Sequence, residues 1–377
     1  MKQHWRDCRL VDVLTLKRGH DLPGNTRIEG DVPVVSSSGI TGFHNEAKAK
    51  APGVVTGRYG TIGEVFYLDQ DYWPLNTALY VIDFKGNRPR FAAYFLRNVL
   101  KDYQSDKAAV PGVDRNVLHE IRVRVPDPSI QERIETTLSA YDDLMENNRQ
   151  RMALLEESAR LLYREWFVHL RFPGHERTRI VDGVPEGWRK VTLADICSFI
   201  KRGVAPHYDD DAEGLVINQK CIRGGRIDMN LARRQDREFK PDRQVQCGDV
   251  LVNSTGEGTL GRVAQLKIDV SNCTVDTHVT IVRRQPDVSL HYFGMALMDW
   301  EPQFMTMGKG STNQTELSPE AIGRTPITMP DGELLKGFED FAERISNQAT
   351  NLTEQNKRLR AARDLLLPKL MSGEMEV

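Results

Sequence analysis

Apolar residues recur every three or four positions along two long stretches of this chain. In the first, Leu138, Tyr141, Met145, Asn148, Met152, Leu155, Ala159, Leu162 and Trp166 form one heptad seam. In the second, Phe338, Ile345, Leu352, Leu359 and Leu366 lie seven apart, with Phe341, Gln348, Gln355 and Ala362 as the alternate seam line. No proline interrupts either stretch before Pro368. Each stretch therefore predicts an unbroken helix of roughly 38 residues, about 57 Å long. A lone rod of that kind would leave its seam in water, so the two are expected to pair antiparallel as a coiled coil. Asn148, Gln348 and Gln355 are polar seam positions, which either fix register and partner choice or sit at a wet seam edge.

Outside these stretches the pattern changes. Short apolar runs at 32–35, 53–55 and 78–82, bounded by Gly and Pro, read as strands, while 91–100 and 292–300 read as helices. The expected fold class is α+β: two similar mixed α/β domains joined by two long helices in an antiparallel coiled coil, with pseudo-twofold symmetry. The expected bounds are 1–126 for the first domain, 127–170 for the first helix and 171–187 for a turn-rich connector. The second domain is expected at 188–330, and the second helix with the C-terminal tail at 331–377.

That symmetry comes from an internal repeat. The spacing Trp-x4-Leu-x-Asp from Trp5 returns from Trp188, and Gly60-Thr61-Ile62-Gly63 returns as Gly258-Thr259-Leu260-Gly261. Asn76-Thr77 pairs with Asp276-Thr277, Pro126 with Pro330, and Leu155 with Leu359. The growing offset places insertions in the second copy, mostly between Gly203 and Gly258. Two diverged copies present two similar surfaces to two similar targets.

Composition narrows the function classes. The chain has 377 residues, 40% hydrophobic and 28% charged, with five cysteines and no Cys-x-x-Cys pair. Neither a disulfide framework nor a zinc site has support, and a reducing, cytoplasmic setting fits best. No apolar signal core and no membrane span is read from the sequence. The net charge of −2 hides a division, because residues 1–126 hold 18 Lys+Arg against 14 Asp+Glu and residues 127–170 hold 5 against 9. A basic stretch at 220–243 is either a solvated surface or a phosphate track.

Catalytic motifs do not survive inspection. Gly256-Glu257-Gly258-Thr259-Leu260-Gly261 fits Gly-x-Gly-x-x-Gly, yet the residues after it read as a strand where a dinucleotide site needs a helix. Gly308-Lys309-Gly310-Ser311-Thr312 resembles a phosphate loop only in composition. Pro330-Asp331-Gly332-Glu333-Leu334-Leu335-Lys336 has carboxylates and a lysine like a nuclease, but it opens a helix, where acids serve the dipole. No catalytic residue and no metal site is assigned.

The segment 155–167 with Trp166-Phe167, the run Val184-Pro185-Glu186-Gly187-Trp188, and Leu365-Leu366-Leu367-Pro368-Lys369-Leu370 near the end are together similar to the DNA-specificity subunit of Type I restriction-modification systems. The resemblance spans nearly the whole chain. It implies a non-catalytic subunit whose two target-recognition domains each read half of a bipartite, asymmetric site in double-stranded DNA. The coiled coil would help set the spacer. Two methyltransferase subunits and two motor-nuclease subunits are the implied partners. S-adenosylmethionine, ATP and magnesium would belong to those partners, with no cofactor on this chain.

Candidate DNA contacts follow from the side chains that read base edges or phosphates. In the first copy they are Ser36, Ser37, Arg58, Tyr59, Thr61, Arg115 and Asn116. In the second they are Asn218, Gln219, Lys220, Arg223, Glu257, Thr259, Lys309, Ser311, Asn313 and Gln314. The glycines of the repeated turn are read as tight chain reversals. Other classes remain: a DNA-recognition module serving a different effector, a self-contained nucleic-acid enzyme with an unfamiliar site, or a coiled-coil scaffold.

Overall fold

A computed structural model describes residues 5–59, 63–101, 103, 112–308, 315–330 and 332–376. The chain divides into two compact units, Met1–Gln150 with Leu352–Val377, and Arg151–Asn351.

The first unit contains β1 (Trp5–Arg9), β2 (Thr15–Arg18), β3 (Val32–Ser36), β4 (Gly39–His44), β5 (Gly53–Gly57), β6 (Val65–Leu68), β7 (Trp73–Pro74) and β8 (Ala78–Asp83). Helices α1 (Pro89–Lys101) and α2 (Arg115–Glu120) follow, then β9 (Arg122–Pro126) and the long α3 (Pro128–Tyr163), whose residues from Arg151 belong to the second unit. The strands form a β1-β9 ladder, a sheet in the order β2-β8-β5-β6 and a sheet in the order β4-β3-β7. The core joins α1, through Phe91, Phe95 and Leu96, to Ile134 and Leu138 of α3 and to Leu367, Leu370 and Met371 near the C-terminus. Leu367 and Leu370 are thus core material, while Leu365 beside them is exposed.

A π turn at Arg164–Val168 ends α3, and the hairpin β10 (Ile180–Val181) and β11 (Val184–Pro185) follows. The second unit then lays out β12 (Arg189–Thr192), α4 (Leu193–Ile196), β13 (Cys197–Arg202), β14 (Gly214–Ile217), β15 (Ile222–Arg223), β16 (Arg226–Ile227) and β17 (Arg233–Gln235). Next come β18 (Val250–Asn253), β19 (Val263–Gln265), β20 (Cys273–Val275) and β21 (Val279–Arg284). Helices α5 (Leu290–Asp299), α6 (Glu301–Thr306) and α7 (Pro319–Gly323), strand β22 (Pro326–Met329) and the long α8 (Gly332–Ser372), whose residues from Leu352 belong to the first unit, complete the chain.

The repeat holds strand for strand. The second unit has a β12-β22 ladder, a sheet in the order β13-β21-β18-β19 and a sheet in the order β17-β14-β20. Even the parallel neighbour recurs, β3 with β7 and β14 with β20. The extra hairpin β15-β16 lies between Gly203 and Gly258, where the offset places insertions.

Backbone hydrogen bonds correct one detail of that alignment. Leu75 N donates to Val35 O at 2.8 Å where Asp276 N donates to Ile217 O at 3.0 Å. Arg58 N donates to Thr77 O at 2.9 Å where Ser254 N donates to His278 O at 2.8 Å. Asp276 therefore answers to Leu75, and His278 to Thr77. Pairing Asn76-Thr77 with Asp276-Thr277 is shifted by one, because a shared threonine imitates a register that the ladder does not keep. The ladder also reveals a further repeat, Lys17-Arg18-Gly19 and Lys201-Arg202-Gly203. A Cβ on Gly19 would meet the carbonyl of Leu75, and one on Gly203 that of Val275.

Within each unit the long helices run antiparallel. In the first, Asp142 pairs with Arg363, and Asn148 Nδ2 donates to Asn356 Oδ1 at 2.9 Å. In the second, the rings of Tyr163 and Phe338 lie 6.1 Å apart, while Ala159 shares a cavity wall with Ala342, Ile345 and Ala349. Leu138, Met145, Phe338 and Leu352 are buried, and Tyr141, Met152, Leu155, Leu162, Ile345, Leu359 and Leu366 are half-buried. The alternate line on α8 differs from expectation, since Phe341, Gln348 and Gln355 are exposed. Its occupants are one residue later, Ala342, Ala349, Asn356, Arg363 and Leu370. The small and polar character of those residues concealed the line, and Phe341 imitated it. Asn148, 1% exposed, is a satisfied seam polar group, because Asn356 also donates to Met145 O at 3.1 Å.

One glutamate of each long helix caps a short helix. Glu135 accepts from Phe91 N at 3.2 Å and from Arg88 Nε at 3.0 Å at the start of α1. Glu339 accepts from Leu290 N at 3.1 Å and His291 N at 3.2 Å at the start of α5, and also from the Ser289 hydroxyl. Carboxylates there satisfy orphan amides and face the positive end of the helix dipole.

Two predictions come from these contacts. Asn148→Ala is expected to cost about 1–2 kcal/mol in urea unfolding by stranding Asn356, while Asn148→Leu with Asn356→Leu recovers most of the loss. Burial raises the Glu339 pKa, but hydrogen bonds from His291 and Ser289 outweigh it and hold the carboxyl at about 2. A depressed carboxylate stabilises the fold above its unfolded value of 4.5 and stops doing so as pH falls through about 2. Glu339→Gln should therefore cost roughly 1–3 kcal/mol at neutral pH, and unfolding titrations should show its gap to the wild type closing across that window.

Candidate nucleic-acid interface

In the first unit, two loops are stitched together beside β5. Val113 N donates to Arg58 O at 2.8 Å, and Tyr59 bridges Gly112. This brings Arg58 and Tyr59 alongside the N-terminus of α2, where Arg115 and Asn116 are exposed. The Arg58 guanidinium lies 4.6 Å from the Tyr59 ring centroid. Such stacking orients a cation without consuming its hydrogen bonds. Asn116 N is capped by Asp114 Oδ1 at 2.9 Å, leaving its side chain free of that duty.

Ser36 does not join this surface. Its hydroxyl is buried in the two-residue hairpin between β3 and β4, donating to Gly39 O at 3.2 Å and accepting from Ser38 N at 3.1 Å. Ser37 occupies the hairpin itself and is half-buried. Thr61, Lys309, Ser311, Asn313 and Gln314 lie outside the described residues.

In the second unit the candidates converge. Asn218, Gln219, Lys220, Tyr208, Leu231, Arg233, Thr255, Gly256, Asp276, His278, Thr315 and Glu316 line a cleft of about 850 Å³. Asn218 Oδ1 caps Lys220 N at 2.9 Å, which turns Lys220 outward. Gln219 Nε2 donates to Thr255 Oγ1 at 2.7 Å, and Thr255 Oγ1 lies 2.7 Å from His278 Nδ1. Arg233 stacks on Tyr208 with its guanidinium carbon 3.5 Å from the ring centroid. Asp276 is 5% exposed, and burial raises its pKa against the pull of the His278 amide. Thr259 reaches this network at 3.5 Å from Gln219 Oε1. Glu257 is exposed on the glycine turn, and Arg223 is exposed on the β15-β16 hairpin, away from the cleft lining.

Tyr208, Arg233, Thr255 and His278 were not legible as site residues. Tyr208 reaches the cleft through a bridge to Gln235, which joins residues far apart in the chain. The Thr255–His278 contact spans 23 positions. No local spacing announces either.

The geometry also decides the reading of the glycine motif. The glycine turn leads into strand β19, and Gly256, Gly258 and Gly261 have φ of +102°, +68° and +79°, which makes them reversal glycines. Among the described residues no group of three or more His, Cys, Asp or Glu could hold a metal ion. Burial pushes the Cys197 and Cys273 thiols up to about 12, which leaves them as packing groups. No described helix is long and apolar enough to cross a membrane.

The glycine turn yields a comparison. A Cβ on Gly256 would stand 2.7 Å from Gln219 Oε1 and closer still to the Thr259 hydroxyl, while one on Gly258 meets nothing within 4 Å. Gly256→Ala should destabilise the second unit by about 1–3 kcal/mol, and Gly258→Ala by about 1 kcal/mol from backbone strain alone. Thermal unfolding of the two variants checks the order.

Comparison with known proteins points the same way as this geometry. Residues 2–157 match the Type I restriction modification DNA specificity domain. The chain is 25% identical over 300 residues to the Type I restriction enzyme MjaIX specificity subunit of Methanocaldococcus jannaschii, covering 76% of this chain and 68% of that protein. It is 20% identical to the Type I restriction enzyme HindI specificity subunit of Haemophilus influenzae, covering 81% of this chain and 82% of the relative. Its fold is similar to the crystal structure of the Type-I restriction-modification system S subunit from M. genitalium, with a TM-score of 0.53, 16% identity, and coverage of 98% of this chain and 96% of that one.

Proposed function

We propose, for a chain that belongs to the DNA-specificity subunits of Type I restriction-modification systems, that each unit reads one half of a bipartite, asymmetric site in double-stranded DNA. The observation that carries this reading is a strand-for-strand duplicated scaffold with different side chains at equivalent places. Where the first unit has Leu75 and Thr77, the second has Asp276 and His278 beside a polar cleft. A shared frame with exchanged side chains is what two readers of unlike half-sites require, because base edges are distinguished by donors, acceptors and methyl groups.

The roles then divide by chemistry. In the first unit Arg58, Tyr59, Arg115 and Asn116 form the reading loops. In the second, Asn218, Gln219 and Thr259 form the cleft wall, while Lys220, Arg223 and Arg233 hold phosphates and set orientation without specifying sequence. The paired long helices set the spacer and give docking faces to two methyltransferase subunits. Two motor-nuclease subunits complete the restriction complex. This chain is non-catalytic and works in the cytoplasm. S-adenosylmethionine, ATP and magnesium belong to the partners.

Two readouts test the assignment. Assembled with its methyltransferase, the chain should protect two separated DNA segments in footprinting. Affinity should fall linearly on a log scale with salt, as phosphate contacts demand. Alone, with S-adenosylmethionine, ATP and magnesium supplied, it should neither methylate nor cleave DNA. A single contiguous footprint, or turnover by the isolated chain, contradicts the reading.

A further inference from the structure

The cleft of the second unit holds a chain of hydrogen bonds that runs from Gln219 through Thr255 to His278. Gln219 Nε2 donates to Thr255 Oγ1 at 2.7 Å, so the Thr255 hydroxyl proton is free to go to His278 Nδ1, 2.7 Å away. With Thr255 Oγ1 as the donor in that contact, the imidazole carries its N–H at Nε2. The His278 ring is exposed, and it lines the cleft with Asp276. The site thus sets an N–H donor next to a carboxylate acceptor.

Asp276 is built to accept. It is nearly buried, its Oδ1 takes the His278 amide at 2.9 Å, and among the described residues no cation forms an ion pair with it. Burial raises its pKa, so an incoming donor would relieve an under-solvated carboxylate. Asp276 and His278 also stand one residue apart at a fixed point of the ladder, held by Asp276 N to Ile217 O and by Ser254 N to His278 O. The backbone therefore sets their spacing.

We propose that Asp276 and His278 are the specificity-determining pair of the second unit, reading a cytosine–guanine base pair in the major groove. The Asp276 carboxylate accepts from the cytosine N4 amino group, and the His278 Nε2–H donates to guanine O6 beside it. Carboxylates suit cytosine N4, and guanine offers O6 and N7 as acceptors. Gln219 and Thr255 are positioning residues, which act by holding the imidazole tautomer. The first unit, with Leu75 and Thr77 at these places, has no such pair, so the assignment belongs to one half-site only. It rests on the half-site reading above.

The test uses the full chain assembled with its methyltransferase and a duplex library in which the second unit's half-site is randomised while the other half-site is held constant. Selection by the wild type should return a cytosine–guanine pair at the position that changes in the variants. Asp276→Leu and His278→Thr, which carry the first unit's side chains, should each lower discrimination at that pair by about 10- to 100-fold. Other positions and the constant half-site should keep their preferences, which also reports folding. Asp276→Asn retains shape and should relax the same pair if the leucine variant fails to assemble. Unchanged preference in all variants, or relaxation at an adenine–thymine pair, overturns the proposal. A wild type that selects no split site instead overturns the half-site reading beneath it.

Discussion

The antiparallel pairing of α3 and α8 is the constraint on which the rest of the molecule depends. Each helix carries a narrow seam too apolar for water, and each globular portion packs its core onto that seam. Leu367, Leu370 and Met371 enter the first core beside Leu138, and Tyr163 and Phe167 enter the second beside Phe338 and Trp188. Glu135 and Glu339 then tie the short helices α1 and α5 to the same rods. Folding of each unit is therefore inseparable from helix pairing, and a polar seam group such as Asn148 acts on register because it bonds Asn356 across the seam.

The duplicated frame is filled differently in the two units. Around Arg97 the first unit has a charged cleft lined by Arg90, Asp142, Arg360 and Arg363. The second unit lines its own helix junction with Met295, Met298, Met305 and Ile345. The same division holds among the candidate contact residues, where one unit has a stacked Arg58–Tyr59 pair and the other a hydrogen-bonded Gln219–Thr255–His278 chain. Backbone constraints are kept, as at Gly19 and Gly203, while side chains at equivalent ladder positions diverge, as at Leu75 and Asp276.

Much of this architecture was legible in the sequence because it rests on periodicity. The primary heptad lines, the strands at 32–35 and 78–82 and the repeat itself depend on spacings that survive divergence. What failed to show was long-range pairing. The alternate line on α8 was hidden because Ala342, Asn356 and Arg363 do not look like core, although packing buries or half-buries them. The Asp276 alignment slipped by one because register is set by hydrogen bonds across the sheet. The second cleft was only half visible: Asn218 and Gln219 sit on a short segment, but Tyr208, Arg233 and His278 come from separate strands and loops. Ser36 looked available, yet the hairpin consumes its hydroxyl.

The most direct test of two-half recognition is methylation sequencing of DNA from cells expressing this chain with the methyltransferase proposed as its partner. Two constant sequence blocks separated by a fixed unspecified spacer, with modified bases in both blocks, are the predicted result. A contiguous methylated motif, or no motif when the proteins are expressed and assembled, would contradict the account.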